Sequence, residues 1–230
     1  MKSLPERFDQ EGEVLRQARN TIRRFRVGDM VLVVKRYKVP LWFQRIDYTW
    51  FRPSKALRAY RYALRLKQLG INTPEAVACV EMTRWGLFRQ GYFVSTECAD
   101  PNLKCLLYDP AAPEKLFEAY VRFLVSMHEK GFLHGDLNLS NMLYHKQEDG
   151  TYLFTVIDTN RSHFAYCPTR SQCLNNLMRI TRTRSFSHKV VARYAQLRGW
   201  DEEECVRFVD KAIDRFERKR DIKRKLKFEI

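Results

Sequence analysis

The stretch Phe132-Leu-His-Gly-Asp-Leu-Asn-Leu-Ser-Asn-Met-Leu-Tyr144 concentrates the chemistry of this 230-residue chain. Asp136 is a carboxylate able to accept a proton from an attacking hydroxyl. Asn141 lies five positions on, near enough to turn its amide oxygen onto a metal ion bound to a polyphosphate. Seventeen residues further, Phe154-Thr-Val-Ile-Asp158 reads as a buried strand ending in a second carboxylate, on the far side of a hairpin. These groups at these spacings suit phosphoryl transfer from a nucleotide to an alcohol. A capping role for Asp136 would leave the other residues unexplained.

The loop has the form His-x-Asp-x-x-x-x-Asn of the kinase catalytic loop, with Gly135 where protein kinases usually carry Arg. That Arg normally receives an activation-loop phosphate. Its replacement removes the receptor for such a switch and favours a non-protein substrate. The His134 counterpart in kinases has a structural role. Asp158 is followed by Thr159-Asn-Arg161, with no Ala-Pro-Glu downstream, so a peptide-docking platform is poorly supported. Arg161 could meet an acidic acceptor or a phosphate, or form a structural salt bridge.

Leu32-Val-Val-Lys35 matches the strand-borne lysine that touches the α- and β-phosphates of ATP. A strand-end lysine facing water is the plainer alternative. The phosphate-covering glycine-rich loop is missing, since Gly12 stands alone and Gln17-Ala-Arg-Asn20 fills the turn. Arg19 could contact phosphate directly there, or be an ordinary turn residue. The next helix, capped by Ser54 and stopped by Gly70, holds no carboxylate to pair Lys35. Glu75 or Asp158 must do so. Its basic stripe, Lys55, Arg58, Arg61 and Arg65, is either a solvated face or a strip for an anionic substrate or membrane. Arg58 and Arg61 are the candidate substrate contacts. The break Cys98-Ala-Asp-Pro-Asn102 suits a hinge, with Glu97, Cys98 and Ala99 edging an adenine pocket through backbone groups.

The elements that position these residues fall into two parts. Short strands over 12–16, 21–25, 30–37, 75–80 and 92–98, with one helix, predict a small antiparallel β lobe, residues 1–98. Helical spacing over 112–130, 171–185 and 186–197, and the cap Asp201-Glu-Glu-Glu204, predict a mainly helical lobe, residues 99–230. The fold class is therefore α+β, two-lobed and protein-kinase-like. Leu116, Phe117, Tyr120, Leu124, Met127 and His128 recur at the spacing of one buried helix face. Ile213, Phe216, Ile222 and Leu226 allow an amphipathic helix through the basic C-terminal segment, which reads either as a polybasic anchor on anionic lipid or as a frayed, solvated tail.

The apolar fraction of 45% is enough for a packed core, which argues against disorder as the main state. The formal charge of +15 calls for an anionic partner. The six cysteines lack zinc or Cys-x-x-Cys spacing, and the start lacks a signal-peptide core, which favours a reducing cytoplasmic setting. No nucleic-acid-binding motif stands out, so nucleic acid is not an expected partner. The sequence is silent on oligomeric state.

Val34-Lys35-Arg36-Tyr37, Ser54-Lys-Ala56, Gly70-Ile-Asn-Thr-Pro74, His134-Gly-Asp-Leu-Asn138 with Asn141, and Ile157-Asp-Thr-Asn-Arg161 together resemble the bacterial lipopolysaccharide-core kinases over roughly residues 12–220. The resemblance implies an ATP- and Mg²⁺-dependent enzyme that phosphorylates a Kdo or heptose hydroxyl of lipid A–core. It also implies a cytoplasmic enzyme, peripheral on the inner membrane, with an anionic glycolipid and an anionic membrane surface as partners. A related enzyme acting on another small molecule or a protein is one alternative. A catalytically silent module binding anionic lipid or nucleic acid is another.

Overall fold

The computed structural model describes residues 4–228, without the side chains of residues 223 and 225–228. A short helix α1 (Leu4–Arg7) precedes β1 (Glu13–Gln17), β2 (Thr21–Val27) and β3 (Met30–Arg36). Then come α2 (Trp42–Trp50), α3 (Lys55–Gln68), β4 (Ala76–Arg84) and β5 (Leu87–Thr96). All neighbouring pairs in the resulting sheet are antiparallel, in the order β1-β2-β3-β5-β4.

Strand alternation sorts β3 into two faces. Leu32 and Val34 point into a cluster with Phe8, Tyr92 and Val94. Lys35 lies on the other face with Tyr37, where α3 packs through Ala56 and Ala59. The approach is close enough that a Cβ on Gly91 would stand 2.9 Å from that of Ala56. Ser54 caps α3 as expected, its hydroxyl accepting from the Leu57 amide.

Helix α2 was not anticipated. Its spacing is helical, but its apolar residues are not buried. Arg45 donates to the Phe88 carbonyl, Thr49 accepts from the Phe88 amide, and Tyr48 packs edge-on against the Phe88 ring. These contacts fix one side of α2 to β5. They leave Leu41, Trp42, Phe43, Trp50 and Phe51 exposed, Trp42 at 73%.

The second part opens with α4 (Cys105–Tyr108) and α5 (Glu114–Glu129), which buries the six side chains predicted for it and also Val121. Then follow β6 (Phe132–Leu133), a 3₁₀ turn (Leu139–Asn141), β7 (Met142–Lys146), β8 (Tyr152–Val156), a second 3₁₀ turn (Thr159–Arg161) and β9 (His163–Phe164). Strand β6 pairs β9 and β7 pairs β8. The helices α6 (Arg170–Leu177), α7 (Arg184–Leu197) and α8 (Glu202–Phe228) complete it.

One expectation is corrected here. The helix predicted over 171–185 ends at Leu177, and residues 178–183 form a loop. Asn176 turns its amide into the core, Thr181 accepts from the Thr183 amide, and a new helix starts at Arg184. The basic C-terminal segment continues α8 as helix through Phe228, with Asp201 accepting from the Glu204 amide. Ile213 is buried on it, whereas Phe216 and Ile222 are exposed. The Leu226 side chain lies outside the described residues.

The chain divides into two compact units. One runs to Asp100 and takes back Thr155–Arg161; the other holds Pro101–Phe154 and the chain from Ser162 onward. Asp158 therefore belongs to the unit of Lys35, although it lies far along the second part in sequence.

Candidate active site

In the first unit, Lys35 Nζ stands 2.7 Å from Asp158 Oδ1 and 5.3 Å from the Tyr37 ring centroid. This settles the choice between Glu75 and Asp158, because Glu75 pairs with Lys67 instead. The segment carrying Asp158 is laid down by a bridge from Thr155 to Asn72 and by the Val156 amide donating to the Asn72 carbonyl. The turn after it packs on α3. Asp158 itself has φ of 58°, a left-handed conformation that a non-glycine residue adopts at a local cost. Asn160 also donates to Oδ1, so both contacts fall on one carboxylate oxygen.

The same unit gathers a group of cations about Lys55 at the start of α3. Burial and then the charges of Arg19, Arg161, Arg58 and Arg52 push the Lys55 ammonium below its usual pKa. Arg19, Arg58 and Arg161 form no ion pair among the described residues, and the Arg58 Nε is buried without a partner there.. The basic stripe of α3 thus divides: Lys55 and Arg58 are half-buried, while Arg61 and Arg65 are exposed. Arg161 is exposed too. The expected hinge residues differ from one another. Glu97 forms an ion pair with Arg24 and extends the sheet through its amide to the Val31 carbonyl. The Cys98 thiol meets Asp100, burial raises its pKa, and Ala99 is exposed.

In the second unit, the Asp136 carbonyl is the hub of the predicted loop. It accepts from the Asn138 amide at 2.9 Å, the Asn138 side chain at 3.3 Å and Asn141 Nδ2 at 2.9 Å. That bond fixes the orientation of the Asn141 amide and leaves its oxygen turned away from the Asp136 carbonyl. The Asp136 amide donates to His134 Nδ1 at 3.1 Å, and the Gly135 amide to the Ser162 hydroxyl.

Behind the loop lies a buried chain of polar groups. Asn176 Nδ2 donates to the His134 carbonyl at 2.7 Å, Asn176 Oδ1 meets His128 Nε2 at 3.1 Å, and His128 Nδ1 meets the Tyr194 hydroxyl at 2.9 Å. Burial lowers the His128 pKa to about 4 and raises that of Tyr194. His128 is a core residue, in keeping with its place on the buried face of α5. The role of Asn176 was missed, since an Asn within a helical run carries no signal for a partner 42 residues away.

Among the described residues, no group of three His, Cys, Asp or Glu side chains could hold a metal ion. The Asn141 amide oxygen in one unit and the Asp158 carboxylate in the other are each of the hard oxygen type that Mg²⁺ takes beside waters and phosphate oxygens.

Residues 9–208 match the family described as Lipopolysaccharide kinase (Kdo/WaaP). A 3-deoxy-D-manno-octulosonic acid kinase of Vibrio vulnificus is 34% identical over 106 residues, which is 44% of each chain. The chain thus matches less than half the length of that curated relative. Its fold is similar to that of WaaP solved in complex with acyl carrier protein, with TM-score 0.60 and 20% identity over 91% of this chain and 87% of that one. It is also similar to amicoumacin kinase solved with AMP-PNP, Ca²⁺ and Ami, with TM-score 0.55 and 13% identity over 81% and 71%. These likenesses give a two-lobed α+β kinase-like fold, and the match over residues 9–208 gives the kinship: the chain belongs to the lipopolysaccharide kinase (Kdo/WaaP) family.

Proposed function

We propose that this protein transfers the γ-phosphoryl group of ATP to a sugar hydroxyl, of Kdo or heptose, in the lipopolysaccharide inner core, working at the cytoplasmic membrane face. The observation that carries the reading is the bond from Asn141 Nδ2 to the Asp136 carbonyl, which orients a cation-binding oxygen and holds the loop of the proton acceptor at once.

In this reading Asp136 orients the acceptor hydroxyl and takes its proton late in a loose transition state. The acceptor oxygen forms its bond to phosphorus as the bond to the departing ADP breaks. Lys35, held by Asp158, offsets charge on the α- and β-phosphates. Asn141 and Asp158 would hold Mg²⁺, which when bound neutralises charge on the phosphates. Arg19 meets phosphate oxygens, and Glu97, Cys98 and Ala99 edge the adenine through their backbone. Arg58, Arg61 and Arg161 attract the acidic glycolipid. Membrane contact falls to the aromatic face of α2, since Trp and Phe beside basic residues suit the bilayer interface.

The test is an acceptor panel with labelled ATP: Kdo-bearing lipid A, a heptose-bearing core and soluble sugars. Transfer to one of the two glycolipids is expected. Turnover on a soluble acceptor alone would remove the glycolipid, and no transfer to any acceptor would overturn the enzymatic reading.

A further inference from the structure

The second unit contains a cavity of about 280 Å³ that opens beside Asp136. Asp136 and Asn138 of the loop line it, as do Met178–Arg182 of the loop after α6, and Ile213, Phe216, Glu217 and Arg220 of α8. It exists because the helix breaks after Leu177: a continuous helix would not place residues 178–182 around the loop.

The charges in it are distributed unevenly. Arg184, the first residue of α7, is tied to Asp210, Asp214 and Glu217. That network occupies the one acid of α8 that lines the cavity. Arg179 has the Phe216 ring 5.8 Å away, Arg182 has no ion pair among the described residues, and Arg220 has only Asp221 at 3.9 Å. Three guanidinium groups thus border a cavity whose one remaining acid is Asp136. Met178, Ile180, Ile213 and Phe216 give it apolar walls that suit the C–H face of a sugar ring. Its size, at the low end of ligand sites near about 300 Å³, fits one sugar unit and not an oligosaccharide.

We infer that this cavity is the acceptor subsite, and that Arg179, Arg182 and Arg220 select a sugar unit bearing an acidic group, carboxylate or phosphate, while Phe216 supports its ring. The inference rests on Asp136 being the proton acceptor, as proposed above. Guanidinium pairs bidentately with either oxyacid, so the two sources share one chemistry.

The experiment uses the full chain with Arg179→Ala/Arg182→Ala, and with Arg184→Ala as a structural control. The double variant should raise the acceptor KM about tenfold or more, while kcat and the KM for ATP stay within about twofold. An acceptor KM within twofold of wild type, or a rise shared by the ATP KM, overturns the subsite. Two further acceptors identify the acid: one with its carboxylate as methyl ester, one stripped of phosphate. Loss of affinity for either supports the subsite, and loss for neither overturns it. If the wild type transfers phosphate to no sugar, the proposed function has failed and binding is read by calorimetry with the free sugar acid. Binding lost only in the double variant then supports the cavity; equal binding, or none in wild type, overturns it.

Discussion

Asp136 meets its neighbours through its backbone, and that decides what a substitution there should do. Its carbonyl takes three hydrogen bonds and its amide one, all independent of the carboxylate. Asp136→Asn should therefore keep the loop and the melting temperature while lowering kcat by about a hundred- to ten-thousand-fold. Rates with saturating ATP and acceptor, set beside thermal unfolding, check this. A matched loss of stability would mean that the carboxylate is structural. Asp136, Asn141 and Asp158 were legible as candidates because a polar motif at fixed spacing survives reduction to one dimension. The partner of Lys35 was not, because Glu75 and Asp158 are equally plausible by type. Only the docking of residues 155–158 beside Asn72 separates them. Arg179 and Arg182 were invisible as cavity residues because a basic run reads the same whether it lines a cavity or faces water.

The buried Tyr194–His128–Asn176 chain joins α5, α6 and α7 behind the loop that carries Asp136, and it makes the stability of these elements depend on pH. His128 has a folded pKa of about 4 against an ordinary value of 6.5. Between those values the unfolded chain binds the proton and the folded chain does not. The contribution is therefore complete above pH 6.5 and is lost as pH falls toward 4, by about 3 kcal/mol in all. Urea unfolding at pH 7.5, 5.5 and 4.5 reads the loss, and His128→Gln should flatten it. A second test concerns the turn that leads from α5 into β6. Gly131 has φ of 78°, and a Cβ there would lie 2.0 Å from the Ala165 carbonyl oxygen. Gly131→Ala should cost more than about 1 kcal/mol, visible in the urea midpoint. The long periodic helices were readable, α5 above all, because a buried face repeats every turn. The break at Met178 and helix α2 were not: one depends on where a single amide is buried, and the other keeps its aromatic face outside the core.

A formal charge of +15 and an exposed aromatic helix face describe a molecule suited to an anionic surface. No described helix is long and apolar enough to cross a membrane. Binding to vesicles containing anionic lipid should weaken as salt rises from 50 to 500 mM, values that span about a threefold change in screening length. Trp42→Ala/Phe43→Ala should lower the partition coefficient about tenfold at fixed salt, since interfacial helices bind through buried apolar area as well as charge. Cosedimentation measures both, and brominated lipid should quench tryptophan emission in the wild type. An unchanged partition would move the contact away from α2. At this scale the two-part α+β plan was legible from strand and helix periods. The return of Thr155–Arg161 to the first unit was not, since no local pattern marks a segment that rejoins distant chain.

That return has a consequence for synthesis. A ribosome that has released residues up to Asp100 has delivered the sheet, α3 and Lys35, but not the counter-ion of that lysine. Residues 101–154 must be translated first. A gene split at codon 100 would give a first product with Lys35 unmatched, and supplying Thr155–Arg161 in trans would be needed to complete it.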